Sequence, residues 1–148
     1  MTPGHVTISI TIDAPLDEVW DELERIEDHV DWMADAESID FHTEQRRGIG
    51  TKFTCRTKIG PLRTADVMTI DAWEDHKAIG VTHAGAVTGS GQFTLDAPSP
   101  TTTVVTWDEQ LSFPWYFGGA LGALAASPVF RWIWSRNLVR LRDRVTGA

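Results

Sequence analysis

The stretch from residue 38 to residue 111 alternates β-prone segments with short turns, and this pattern leaves few folds open. Strands are predicted over residues 38–44, 51–59, 62–73, 77–83, 87–96 and 102–111. Turn-forming residues separate them, such as Gly60-Pro61 after the second strand and Pro98 before the last. A parallel neighbour needs a crossover of about a dozen residues or more. Connections this short therefore predict an antiparallel meander.

The two ends of the chain add a further strand and the helices. Apolar and polar residues alternate over residues 5–13, which predicts a strand with one buried face. A helix over residues 15–26 and a second short helix over 27–33 follow. Near the other end, Ser127 as a cap and Pro128 as the first helical residue predict the start of a long helix. Its apolar stripe comprises Phe130, Ile133, Trp134, Asn137, Leu138, Leu141 and Val145.

The length and charge of the chain limit its architecture and its partners. The 148 residues are about the size of one domain, so we expect a single domain over residues 1–148. A curved antiparallel sheet around the last helix would bury every apolar stripe, which makes the fold class α+β. The formal net charge is −8, and an acidic surface repels a phosphate backbone. We therefore expect no nucleic-acid partner, and the composition favours no particular oligomeric state.

Cysteine content and missing motifs predict a cytoplasmic protein without a metal or a cofactor. Cys55 is the single cysteine, which excludes an intramolecular disulfide and a cysteine-based zinc site. The five histidines are scattered, and the sequence has no phosphate-binding loop and no nucleophile elbow. The N-terminus lacks the pattern of a secretion signal. The uncharged residues 111–130 are too rich in glycine, alanine and proline for a transmembrane segment.

The ordered set of motifs resembles the START-like helix-grip superfamily (SRPBCC), in its polyketide cyclase/dehydrase and lipid-transport-like branch. The opening IDAPLDEVWDELERIEDHVDWM carries Ala14-Pro15 after the strand, Val19-Trp20 on the first helix and Trp32 at the second. The strand that ends in Trp107 and the Leu- and Arg-rich last helix continue the resemblance over nearly the whole chain. It implies a helix-grip fold, in which a curved antiparallel seven-stranded sheet wraps around a long C-terminal helix and two short helices follow strand one.

The resemblance also implies a cavity between the sheet and the last helix that accepts a hydrophobic small molecule. His83, Glu109 and Asp66 are the candidate catalytic residues, although each has a plainer role as a locally hydrogen-bonded or partly exposed side chain. A register slip by one residue would turn the opposite set inward. The residues predicted to bind the ligand are Trp32, Phe53, Met68, Val81, His83, Phe93, Trp107, Glu109, Phe117, Leu121, Phe130, Trp134 and Asn137.

Residues 113–126, FPWYFGGALGALAA, fit neither a strand period nor a full helical stripe. Each of the three glycines lowers helix stability by about 1 kcal/mol relative to alanine, so we expect a locally weak segment at the mouth of the cavity. Three roles stay open. The segment is a mobile lid closed by Trp115, Tyr116 and Phe117, a connector that packs its aromatics permanently, or an exposed patch that makes transient contact with a membrane or a partner.

Three classes of function remain compatible with this sequence. Binding or carriage of a lipid, polyketide or aromatic-like molecule comes first, because the expected cavity has no complete catalytic set around it. A polyketide cyclase or dehydratase comes second, in which cavity shape holds a reactive chain and one or two polar groups shuttle protons. Regulation of a protein partner, through exposed tryptophans and the arginine-rich helix, comes third.

Overall fold

The structure is a computed structural model that describes residues 4–148. Over this range, seven strands form one antiparallel sheet in the order β1-β7-β6-β5-β4-β3-β2. Consecutive strands from β2 to β7 are neighbours, and β1 pairs with β7. The strands are β1 (His5–Ile12), β2 (Ala36–Phe41), β3 (Lys52–Ile59), β4 (Leu62–Glu74), β5 (Ala78–Ala84), β6 (Thr88–Ser99) and β7 (Thr102–Ser112). The predicted fold class and the predicted meander are confirmed.

The inner face of the sheet follows from the alternation of side chains along each strand. In β7 the buried residues are Thr103, Val105, Trp107, Glu109 and Leu111, every second position. The pairing of Ile79 with Phe93 and of Phe93 with Trp107 carries one apolar row across three strands. A β-bulge between Ile70 and Ala72 interrupts the β4–β5 ladder, and bulges increase the local bend and twist of a strand. The apolar row joins one buried cluster with Trp134, Leu138 and Leu141, so it faces the last helix.

The first helical region is divided where a single helix over residues 15–26 was predicted. Helix α1 (Leu16–Leu23) ends before Arg25, whose φ of −81° and ψ of 83° leave the helical range. A 3₁₀ turn (Ile26–Asp28) and the short helix α2 (His29–Trp32) follow. The buried His29 donates from Nε2 to the carbonyl oxygen of Leu23 at 2.7 Å. This bond satisfies a carbonyl at the end of α1 that has no partner within the helix.

The last helix, α3 (Gly119–Thr146), begins nine residues before the predicted start at Pro128. Ser127 is not its cap, because the Ser127 hydroxyl donates to the carbonyl of Ala123 one turn earlier, at 2.8 Å. Pro128 lies inside the helix and has no N–H to donate to the preceding turn. Segment 113–126, which was predicted to be irregular, therefore contains a 3₁₀ turn (Trp115–Phe117) and the first two turns of α3.

Helix α3 packs mainly against β1, and its buried side chains join the larger of two apolar clusters. Trp134, Leu138 and Leu141 enter this cluster beside residues of β1, β6 and β7. The second cluster consists of Ile26, Ala36, Phe53, Cys55 and Ile70, at the other end of the sheet. The chain thus has two packed regions under one curved sheet.

Candidate functional site

A cavity of about 340 Å³ lies between the concave face of the sheet and α3. Its wall draws on both apolar clusters, with Phe53 and Cys55 from one and Phe93, Trp107 and Trp134 from the other. The Trp134 ring stacks on Trp107, with 5.2 Å between ring centroids, and on Phe130, with 4.9 Å. These stacked rings give the cavity one flat aromatic wall.

The structure brings most of the predicted ligand-binding residues together in this wall. Three of them lie elsewhere. Trp32 is fully buried and packs against Phe93 and Trp107 without lining the cavity. Leu121 is 78% exposed, on the outer side of α3. The predicted residues that line the cavity are Phe53, Met68, Val81, His83, Phe93, Trp107, Glu109, Phe117, Phe130 and Trp134.

Asn137, the third of these residues, joins α3 to the segment before β2. Its side-chain nitrogen donates to Oδ1 of Asp35 at 2.7 Å, and its oxygen accepts from the backbone N–H of Ala34 at 3.0 Å. Asp35 also accepts a bond from Nε1 of Trp134 at 3.2 Å. A polar residue in the apolar stripe of α3 is therefore stable because it is fully hydrogen-bonded across the interface.

Three polar side chains, His83, Glu109 and Asp66, form a polar cluster in the otherwise apolar wall. Glu109 is on β7 and His83 is on β5, so β6 separates them. Gly91 of β6 stands directly beside Glu109, and a Cβ atom at Gly91 would lie 2.2 Å from Oε1 of that carboxylate. Because Gly91 has no side chain, the carboxylate crosses β6 and brings Oε2 to 3.2 Å from Nε2 of His83.

A hydrogen bond positions Glu109, and its place on β4 positions Asp66. Nε1 of Trp107 donates a 3.0 Å hydrogen bond to Oε1 of Glu109. Asp66 comes from β4, two residues before Met68, which pairs with His83. A Cβ atom at Gly85 would lie 2.3 Å from Oδ1 of Asp66, so a second glycine makes room for the second carboxylate.

Each member of the polar cluster keeps one atom without a hydrogen bond. Oδ1 of Asp66, Nε2 of His83 and Oε2 of Glu109 are buried and have no hydrogen-bond partner within residues 4–148. The approach of His83 to Glu109 has the distance of an ion pair but not the alignment of a hydrogen bond. Buried polar atoms are normally paired. Nε2 of His83 and Oε2 of Glu109 attract each other as an ion pair, yet each can still form an aligned hydrogen bond to a bound molecule, and Oδ1 of Asp66 has no partner at all.

Burial and mutual charge shift the protonation of the polar cluster. Burial lowers the pKa of His83, but the neighbouring Glu109 and Asp66 raise it by more, so its pKa lies above the ordinary histidine value. Burial raises the pKa of Asp66, and the nearby His83 only partly offsets this. The imidazole is therefore protonated over a wider pH range than that of a free histidine, and the carboxyl of Asp66 accepts a proton more readily than a free aspartate.

Three further titratable side chains line the cavity, and none of them was a predicted site residue. They are His29, Asp35 and Cys55. Burial lowers the pKa of His29, and the Leu23 carbonyl and nearby acids offset this only in part, so the ring is neutral. Burial also raises the pKa of the Cys55 thiol to about 11, which removes it as a nucleophile at neutral pH. Asp35 is bound to Asn137 and Trp134, so these groups support the wall.

The cavity reaches the surface beside the turn between β3 and β4. Leu62 lines the cavity and is 44% exposed, and Phe117 lines it from the 3₁₀ turn before α3. Of the three aromatic residues in the lid hypothesis, only Phe117 lines the cavity, and Trp115 and Tyr116 do not. Trp115 is 86% exposed and Tyr116 is 59% exposed. The hypothesis of a connector that packs all its aromatics is wrong, because these two rings face solvent, and the mobile lid stays a prediction.

Neither a membrane span nor a metal cluster is found in the part of the chain that the structure describes. Helix α3 has 28 residues, but five arginines follow Phe130. Among residues 4–148, no helix is both long and apolar enough to cross a bilayer. In the same residues, no three His, Cys, Asp or Glu side chains are grouped so that they could hold a metal ion.

Comparison with known proteins gives one family and several similar folds. A sequence model of the family described as polyketide cyclase / dehydrase and lipid transport matches residues 3–146. No curated protein matches the chain. A protein from Thermus thermophilus has 17% identity and a TM-score of 0.76, with 97% of each chain covered. A START superfamily protein from Mycobacterium smegmatis has 12% identity and a TM-score of 0.73, with 97% of each chain covered. The Zhui aromatase/cyclase from Streptomyces sp. R1128 has 20% identity and a TM-score of 0.68, with 97% of this chain and 91% of that chain covered.

Proposed function

Because this chain belongs to the polyketide cyclase / dehydrase and lipid transport family, we propose that it binds a hydrophobic small molecule in the cavity between the sheet and α3. The cavity itself is the observation that carries the proposal. It has a volume of about 340 Å³ and a wall of aliphatic and aromatic side chains that reaches the surface at Leu62. Burial of 100 Å² of apolar ligand surface contributes about 2.5 kcal/mol, so a ligand of moderate size gains enough to offset the cost of association.

A neutral fluorescent probe such as Nile red tests this proposal. A probe in the cavity would contact Trp107 or Trp134, so binding should quench or shift tryptophan emission. Affinity should survive an increase in ionic strength, because apolar burial is not screened by salt. Loss of all binding at high salt would indicate attachment to surface charges and would contradict the proposal.

A pair of tryptophan variants locates the probe. Met68→Trp adds a large side chain in the cavity wall on β4 and should weaken probe binding. Thr82→Trp adds the same side chain at an exposed position of β5, and its affinity should match that of the parent. Equal effects of the two variants would place the probe outside the cavity.

A second function, acid–base catalysis on the bound molecule, is favoured by the polar cluster. His83 and Glu109 lie 3.2 Å apart inside an apolar cavity, and the Streptomyces neighbour is an aromatase/cyclase by name. In the dehydration of a β-hydroxy ketone, Glu109 would take the proton from the α-carbon while the His83 imidazolium protonates the leaving hydroxyl, which departs as water. The cavity would hold the chain in the reactive conformation.

Measurements of product formation and of Nile red binding distinguish the catalytic function from the binding function. A synthetic β-hydroxy ketone thioester, followed by mass spectrometry, would show a loss of water if the protein is an enzyme. His83→Gln and Glu109→Gln should then abolish this loss while Nile red still binds. If the parent protein produces no dehydrated or cyclised product above the uncatalysed background, the catalytic function is contradicted and the binding function is unaffected.

A further inference from the structure

The polar cluster of Asp66, His83 and Glu109 differs from the rest of the cavity wall in charge and in hydrogen bonding. The surrounding residues include Val81, Met68 and other apolar side chains, which offer no hydrogen-bonding group to a ligand. The cluster, by contrast, offers two carboxyl groups and one imidazole in buried positions, with the side chain of His83 10% exposed and that of Glu109 7% exposed. Desolvation of such groups costs free energy unless they are paired.

The atoms of the cluster that lack an aligned hydrogen bond include both donors and acceptors. Oε2 of Glu109 is an acceptor, and Oδ1 of Asp66 accepts when its carboxyl is ionised. Nε2 of His83, whose pKa is raised, carries a proton that Glu109 does not fully engage. A ligand group that bonds to all three atoms must both donate and accept hydrogen bonds. It must also lie between a negatively charged carboxylate and a positively charged imidazolium.

We infer that the bound molecule carries a hydroxyl group, aliphatic or phenolic, which enters the cavity first and hydrogen-bonds to Glu109, His83 and Asp66. This inference rests on the proposed binding function and adds to it the chemistry of the ligand. A hydroxyl donates to a carboxylate and accepts from the His83 N–H. A carboxylate end group would face the carboxylates of Glu109 and Asp66, and an ammonium end group would face the imidazolium. A purely apolar end would leave Oδ1 of Asp66 without a partner and would give the His83–Glu109 ion pair no further hydrogen bond.

The glycines beside the cluster support this assignment. Gly91 and Gly85 each lie where a side chain would collide with a carboxylate of the cluster. The carboxylates of Glu109 and Asp66 therefore occupy the space that a side chain at Gly91 or Gly85 would fill. Both carboxylates lie in the same part of the cavity wall. An ordinary core position would place an apolar side chain there. Two acids and a histidine in this arrangement indicate recognition of a polar group.

Three ligands with one ring system test the inference on the unmodified protein. Naphthalene, 2-naphthol and 2-naphthoate differ in a single substituent, and their competition with Nile red at neutral pH gives their relative affinities. We expect 2-naphthol to bind about 10-fold or more tightly than the other two, since a hydrogen bond to a charged group is worth at least this factor. Equal affinities, or tightest binding of 2-naphthoate, would overturn the inference while the binding function stands. Failure of Nile red and of all three compounds to bind would overturn both.

A matched pair of variants then assigns the preference to the cluster. Glu109→Gln removes one carboxylate from the cavity wall, whereas Asp108→Asn removes one from the outer face of the same strand, where it bonds to His5 and Thr7. The two variants have the same net charge. The preference for 2-naphthol should fall at least several-fold in Glu109→Gln and persist in Asp108→Asn. A preference that survives both changes would overturn the role of the cluster, and the ranking on the parent protein decides the inference if Glu109→Gln does not fold.

Discussion

Replacing Gly91 by alanine adds one methyl group, which should displace the Glu109 carboxylate from the polar cluster. The added Cβ would lie 2.2 Å from Oε1, 2.6 Å from Cδ and 2.9 Å from Oε2 of Glu109, so the whole carboxylate must move. Movement breaks the 3.0 Å hydrogen bond from Trp107 and the 3.2 Å approach to His83. The lost hydrogen bond to a charged group costs about 1.5–3 kcal/mol, and overpacking of a full wall costs about 1–3 kcal/mol. We expect Gly91→Ala to lower the free energy of unfolding by about 2.5–6 kcal/mol.

Two measurements follow from the same displacement. Urea unfolding at neutral pH gives the change in stability, and an NMR titration of the His83 ring gives its pKa. Removal of Glu109 from the His83 ring should lower the His83 pKa, because Glu109 is the principal group that raises it. In the parent, the raised pKa contributes stability that is fully present below pH 6.5 and is lost as the pH rises through the folded-state pKa. The variant should lose that contribution.

Two control variants distinguish displacement from unrelated damage. Glu109→Gln keeps the shape of the side chain, so it should lower the His83 pKa with a smaller loss of stability. Ser90→Ala changes the exposed neighbour of Gly91 on β6 and should change neither quantity. If Gly91→Ala unfolds at the same urea concentration as the parent and its His83 ring titrates unchanged, the packing of Glu109 over Gly91 is refuted.

Three further predictions concern the helix, the acid range and the mouth of the cavity. Trp134→Ala should lower stability by about 3–5 kcal/mol, because it removes a ring stacked between Trp107 and Phe130, and a melting temperature within a degree or two of the parent would contradict this. The lowered pKa of His29 contributes stability that is present above pH 6.5 and is lost as the pH falls, so the unfolding free energy of the parent should drop below that pH more steeply than that of His29→Gln. Equal slopes would refute the buried neutral ring. Amide hydrogen exchange at residues 115–124 should be fast and should slow when Nile red binds, whereas slow exchange in both states would leave a rigid connector without a lid.

The sheet could be predicted from the sequence because strand alternation and short turns are both patterns of residues close together in the chain. The alternation along β7 is enough to place Trp107 and Glu109 on the inner face, and short turns require antiparallel neighbours. The predicted resemblance to START-like helix-grip proteins is confirmed by the family match and by the START superfamily neighbour. The prediction of which residues share one face of a strand is reliable for the same reason, because successive side chains point to opposite faces of the sheet.

The start of α3 and the contacts of the polar cluster could not be predicted in this way. Ser127-Pro128 has the chemistry of a helix start, yet the helix continues through it because the Ser127 hydroxyl bonds back to the preceding turn. His83, Glu109 and Asp66 were candidates as single residues. Their meeting depends on Gly91, whose missing side chain lets Glu109 cross a strand, and an absent side chain gives no signal in a hydrophobic pattern.

The pairing of the first strand with the last one affects how the protein is made. Ile8 of β1 lies opposite Trp107 of β7, so the partners are roughly 100 positions apart in the chain. At a synthesis rate of about 5–20 residues per second, the nascent β1 waits about 5–20 s on the ribosome before β7 exists. During this time its Val6, Ile8 and Ile12 have no native neighbour on the sheet. Contacts so distant in sequence also slow folding after release, so β1 is exposed longer than strands that pair with a neighbour in sequence.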